Sequence, residues 1–149
     1  MLEEGQKAPP LSLPTDGGGH LDLTGPAVVY FYPKDDTPGC TNEGKDFSAL
    51  IDDFAALGVA VVGVSRDGVK KHDRFKAKHD LKVILAADED GVVTEAWGVW
   101  VEKQLYGRKY MGIERATFLI DGSGGVRRAW RNVRVSGHAA EVLAAARGL

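Results

Sequence analysis

Two apolar, β-branched runs, Ala27-Val28-Val29-Tyr30-Phe31-Tyr32 and Val59-Ala60-Val61-Val62-Gly63-Val64, frame a stretch in which Phe47, Leu50, Ile51, Phe54 and Leu57 recur at helical spacing up to Gly58. Continuous apolar runs suit strands buried on both faces, and a helix long enough to cross the sheet between them makes the pair parallel, through a right-handed crossover. This unit constrains the chain more than any other feature: the fold is α/β, with a parallel pair of buried central strands.

The remaining pattern fits around that unit. Asp67 to His79 reads as a polar surface helix with Val69, Phe75 and Ala77 as its thin apolar content, and Val83 to Ala86 as a short strand. Asp90 is placed to cap a helix through Val93 and Trp97. Ala116 to Ile120, the turn Asp121 to Gly125, and Val126 to Trp130 predict an antiparallel hairpin. Ser136 starts a closing helix with Val142, Leu143 and Ala146 on one side. Leu11-Ser12-Leu13 and Leu21-Asp22-Leu23 alternate around Gly17-Gly18-Gly19 as a short hairpin does. No repeat or linker interrupts the 149 residues, so 1–149 is expected to form one domain.

The charges exclude several classes. A formal net charge of -2 with scattered Lys and Arg offers no basic field for nucleic acid or an anionic membrane surface. No apolar run is long enough to span a bilayer, and Met1-Leu2-Glu3-Glu4-Gly5 is acidic where a secretory signal is basic, so a cytoplasmic location is expected. His20, His72, His79 and His138 lack the short spacing and the cysteine or carboxylate company of zinc or iron sites, so no metal and no cofactor are expected.

Cys40 is the only cysteine, which rules out an internal disulfide and leaves filler or chemistry. With Thr37 as N-cap and Pro38 as first helical residue, Cys40 falls in the first turn, among free backbone N–H groups. Moving a thiol from a pKa of about 8.5 to about 7 takes roughly 2 kcal/mol, whereas a helix terminus supplies about 0.3 to 1. A cation must therefore help. A core cysteine would sit on the Phe47/Leu50/Phe54 stripe; a first-turn position behind Pro38-Gly39 favours a reactive role over a small buried hydrophobe.

The stretch Phe31-Tyr32-Pro33-Lys34-Asp35-Asp36-Thr37-Pro38-Gly39-Cys40-Thr41 resembles the proline, threonine and cysteine signature of peroxiredoxins, in the wording of the bacterioferritin comigratory protein or peroxiredoxin Q subfamily. The resemblance continues through Gly63 to Asp67, Gly98 to Asp121 and the closing helix. It implies a thioredoxin-like fold, a central mixed sheet flanked by helices, and a thiol-dependent peroxidase acting on hydrogen peroxide and organic hydroperoxides. By the same resemblance Cys40 is the peroxidatic cysteine, Thr37 bonds peroxide and sulfur, Pro33 shields the thiolate, and Arg115 supplies the positive charge. Trp100 and Tyr106, in Gly98 to Gly112, are candidates to line the substrate approach.

The chain departs from many subfamily members at Lys45, where they carry a resolving cysteine. As a one-cysteine variant it needs an external thiol, whether thioredoxin, glutaredoxin with glutathione, or another small thiol. A monomer is implied, with a dimer oxidised through Cys40 as a by-product. Lys45 itself reads as a solvated surface residue rather than a second cation near the sulfur. Two other readings stay open on the residues: a glutathione-linked thiol transferase of the same fold, with no role for Arg115 at an O–O bond, and a non-catalytic thioredoxin-like binding or chaperone module with a vestigial Cys40.

Overall fold

The computed structural model describes residues 2–149, so of the amino-terminal reading only Met1 lies outside the described residues. Seven strands form one mixed sheet in the order β2-β1-β5-β4-β3-β8-β9. These are β1 Ser12–Thr15, β2 Gly19–Asp22, β3 Ala27–Phe31, β4 Ala60–Ser65, β5 Ile84–Ala87, β8 Ala116–Ile120 and β9 Val126–Trp130. The two apolar runs pair in parallel, Val28 opposite Val61, and β5 joins β4 in the same direction. The β8–β9 hairpin forms as its turn predicts, and β8 lies antiparallel to β3.

Alternation along the central strands divides the core in two. Val28 and Tyr30 face one cluster with Phe47, Phe54, Val61 and Leu119, while Val29 and Phe31 face the other with Val62, Val64, Trp97 and Phe118. The first face is covered by α1 (Pro38–Ala49), α2 (Ile51–Ala56), α3 (Val69–His79) and α5 (His138–Ala146). The second is covered by α4 (Val92–Ala96) and by the segment bearing Leu2 and Leu11. Gly63 lies opposite Tyr30, and a Cβ there would come within 2.6 Å of the tyrosine ring, so only glycine leaves Tyr30 room to stack on Phe47.

Three details differ from the sequence expectation. The helix after Cys40 breaks at Leu50, whose φ of -104° and ψ of 8° end α1 and begin α2. At α4 the Asp88 carboxylate, not Asp90, takes the main capping bonds, receiving the N–H groups of Val93 at 3.1 Å and Thr94 at 2.8 Å. Asp90 accepts only from Val92, at 3.2 Å. Finally, β6 (Trp100–Leu105) and β7 (Arg108–Ile113) form a separate two-stranded hairpin that, among the described residues, pairs only with itself.

Candidate active site

The carboxyl end of β3 gathers the site. The chain leaves Phe31 through Pro33 to Asp36 and enters α1 at Pro38, with Thr37 in the extended conformation of an N-cap. Because Phe31 pairs with Ala116, Arg115 stands at the same end of the sheet, just before β8. Its carbonyl accepts from the N–H of Val133 at 3.0 Å, and the Glu114 carboxylate grips Arg131 at 2.6 and 2.9 Å, so both neighbours of the chain at this point are tied down.

Residues 75 positions apart then meet. Arg115 Nη2 donates to Cys40 Sγ at 3.4 Å, and Nη1 donates to Glu43 Oε1 at 2.6 Å. Glu43 follows Cys40 by three residues in α1, the spacing that stacks side chains on one helix face. A fork anchored on a carboxylate presents its remaining nitrogen in a fixed direction. Gly39 permits this approach: a Cβ there would lie 3.1 Å from Arg115 Nη2. Arg115 is the cation that the position of Cys40 calls for.

Glu43 is only 1% exposed, and its second oxygen has no partner among the described residues. Burial pushes its carboxyl up to about 7, against the opposing pull of Arg115. Burial would lower the guanidinium, but Glu43 and Cys40 together raise it, so it stays charged. Cys40 is 2% exposed and packs into the same core cluster as Tyr30, Tyr32 and Phe47, deeper than a first-turn position suggests. Arg115 also lines an open cavity of about 310 Å³, together with Pro33, Lys103, Glu114, Asn132 and Val133. Burial and the nearby guanidinium lower Lys103 from its ordinary value.

The structure thus brings Cys40, Arg115 and Pro33 to one end of the sheet. Thr37 is beside them in sequence, but its hydroxyl donates to the carbonyl of Lys34 at 2.8 Å and makes no capping bond. Trp100 and Tyr106 do not line the cavity: the Trp100 ring lies under Arg66, 3.3 Å away, and Tyr106 is 96% exposed at the tip of the β6–β7 hairpin. Lys45 is exposed. Sequence reasoning missed Glu43 and Lys103. The signal for Glu43 was an acidic residue on the helix face that also carries Cys40 and Phe47, where an apolar side chain is the norm.

Nearby, a second buried group ties the loop before Cys40 to α3. Asp35 receives the Tyr32 hydroxyl at 2.5 Å, its other oxygen lies 2.6 Å from His72 Nδ1, and His72 Nε2 is 3.0 Å from the carbonyl of Ala86. Of the other histidines, His138 is buried at the start of α5 against Thr117, His79 pairs with Asp36, and His20 is exposed on β2.

The chain and its fold are similar to those of known proteins. The family model described as AhpC/TSA family matches residues 4–129. A putative peroxiredoxin bcp of Coxiella burnetii is 50% identical over 146 residues, covering 95% of this chain and 97% of that one. Peroxiredoxin Bcp of Bacillus subtilis is 47% identical, with 95% and 93% covered. Among solved structures, PrxQ of Xylella fastidiosa matches with a TM-score of 0.89 at 38% identity, covering 98% of both chains. A structure of the Xanthomonas campestris bacterioferritin comigratory protein, described for alkyl peroxide reduction, matches with a TM-score of 0.87 at 47% identity, covering 93% and 90%. The chain belongs to the AhpC/TSA family, among the Bcp and PrxQ peroxiredoxins, and is a thiol-dependent peroxidase of thioredoxin-like fold with a single cysteine.

Proposed function

We propose that Cys40 is the reacting thiol and Arg115 its activating cation, and that the chain reduces hydrogen peroxide and organic hydroperoxides in antioxidant defence. The observation that carries this is the 3.4 Å contact between the single cysteine's sulfur and the guanidinium of Arg115, which itself lines an open cavity. The thiolate attacks the terminal oxygen of the peroxide. A sulfur–oxygen bond forms as the O–O bond breaks; sulfur is oxidised by two electrons, and the departing oxygen takes a proton and leaves as water or alcohol. Arg115 meets negative charge at both stages, first on sulfur and then on the leaving oxygen, without reorienting. Pro33 covers one wall of the cavity and keeps water from the sulfur, and a small rotation frees the Thr37 hydroxyl from Lys34 to bond the peroxide.

The product is a Cys40 sulfenic acid with no second cysteine to close on, so the next partner is a thiol from outside the chain. That requirement suits a reducing compartment, and we assign the chain to the cytoplasm as a monomer. The test is intact mass after one equivalent of hydrogen peroxide or of an alkyl hydroperoxide. One oxygen added to the wild type, none added to Cys40→Ser, and removal by a thiol reductant support the reading. Addition at a methionine, with Cys40 untouched, overturns it.

A further inference from the structure

The β6–β7 hairpin is unusual in this molecule. Of the seven large apolar side chains exposed among the described residues, four stand on it: Leu105, Tyr106, Tyr110 and Met111. A two-stranded ribbon is marginally stable by itself, and clustered apolar exposure marks an interaction site rather than a random surface. Register places Lys103 opposite Tyr110 and Leu105 opposite Arg108, so these four side chains share one face. Lys103 and Arg115 line the same cavity, and Arg115 contacts Cys40, so that face runs outward from the cavity beside the thiol's cation.

Charge narrows the occupant. The chain carries a formal net charge of -2, yet the hairpin holds Lys103, Arg108 and Lys109 against the single acid Glu102. Of these, Lys103 and Arg108 stand on the face shared with Leu105 and Tyr110, with no acid among the four. A second copy meeting this face symmetrically would bring the same basic side chains together, which opposes association. A small thiol needs only the cavity, and draws nothing from an apolar, basic ribbon beyond it. Aromatic side chains, methionine and arginine are the residues that protein interfaces concentrate.

We propose that the β6–β7 face bearing Lys103, Leu105, Arg108 and Tyr110 docks a dithiol protein reductant of net negative charge whose thiol is ringed by apolar residues. This rests on Cys40 being the reacting thiol. Docking holds the partner's thiol over the cavity, so that attack on the sulfenic acid becomes effectively intramolecular. The partner's sulfur bonds to Cys40 Sγ, the sulfur–oxygen bond breaks and water leaves. The partner's second thiol then displaces Cys40 as a thiol and leaves the partner as a disulfide.

The test uses the full chain, oxidised with one equivalent of hydrogen peroxide and then mixed in stopped flow with reduced thioredoxin, reduced glutaredoxin or dithiothreitol. Two variants are compared with wild type, Leu105→Ser/Tyr110→Ser and Arg108→Glu. The expected result is that at least one protein reductant reacts faster than dithiothreitol with wild type, and that each variant slows it tenfold or more. Oxidation by peroxide and reduction by dithiothreitol should stay within twofold, which also reports that both variants are folded. Unchanged protein-reductant rates, or no protein faster than dithiothreitol, would overturn the docking surface. So would sedimentation showing a wild-type dimer that the variants dissolve without kinetic change. Failure of peroxide to oxidise Cys40 appears in the first mixing step and sinks the assignment of the thiol instead.

Discussion

Two buried acid–base groups flank the carboxyl end of β3, and they differ in how completely their polar atoms are matched. In the Tyr32–Asp35–His72 group, both Asp35 oxygens are bonded, both His72 nitrogens face acceptors, and the Asp35 N–H donates to Asp67 at 2.8 Å. The His72 ring is thus held between Asp35 on one side and the carbonyl of Ala86 on the other. Burial alone would lower His72, but the bond and charge of Asp35 raise it overall. In the Cys40–Arg115–Glu43 group, one carboxylate oxygen has no partner and burial favours the protonated acid. A fully matched network rigidifies, whereas a partly matched one stays sensitive to any change of charge beside it. The first therefore fixes the loop that leads to Cys40. The second is where a charge that moves during reaction is felt.

The sharpest way to break this comparison is to exchange the expected losses. Asp35→Ala leaves the buried His72 ring and the Tyr32 hydroxyl without their shared partner and should cost about 3 to 5 kcal/mol of stability, read from the denaturant midpoint. The rate of the remaining folded protein with peroxide should fall less than it does in Arg115→Ala. The reverse pattern, stability kept and rate lost, would make the Asp35 group the reacting one. Arg115→Ala comes next, forfeiting a charge-assisted bond of about 1.5 to 3 kcal/mol, or roughly ten- to hundredfold in kcat/KM. An alanine variant at full speed would contradict the role of the guanidinium.

The effect of Glu43→Gln should be smaller and visible mainly in its pH dependence. The Glu43 carboxyl is raised, so its contribution to stability is fully present below about 4.5, its ordinary value, and is lost as pH rises to about 7. Above that, the carboxylate competes with sulfur for Arg115. The peroxide rate should show an inflection near pH 7 that Glu43→Gln removes, and an inflection unaltered in the variant would exclude Glu43 as its source. His138 sharpens the contrast from the acid side. Burial lowers it to about 4 although Glu141 pulls the other way, so its contribution is present above 6.5 and lost as pH falls towards 4. Thermal melts should show a loss across that window that His138→Phe reduces. Lys45→Ala, at an exposed position, should change stability by less than about 0.5 kcal/mol and leave the rate unaltered.

The parts of this molecule legible in its sequence are those where one physical demand acts alone. Buried parallel strands must be continuously apolar, so β3 and β4 stood out, and the proline and threonine before Cys40 marked the start of α1. The β6–β7 hairpin was hidden because its turn is made by Tyr106 and Gly107, both with positive φ, and tyrosine is not a residue that turn chemistry advertises. Asp88 went unseen as the α4 cap because its distance in sequence from Val93 exceeds that of an ordinary N-cap. In the site, local sequence identified Cys40, but Arg115 became recognisable only through family resemblance, since an arginine 75 residues away carries no local sign of its target. Glu43 and Asp35 look like surface acids in the sequence. Their burial is a consequence of tertiary pairing with Arg115 and His72.

The most direct test of the central claim is stopped-flow tryptophan fluorescence of the reduced protein mixed with hydrogen peroxide, with Cys40→Ser and Arg115→Ala run alongside. The account predicts a reaction orders of magnitude faster than that of a free thiol, absent in Cys40→Ser and slowed about ten- to hundredfold in Arg115→Ala. A wild-type rate equal to that of a free thiol, or one untouched by loss of Arg115, would contradict it.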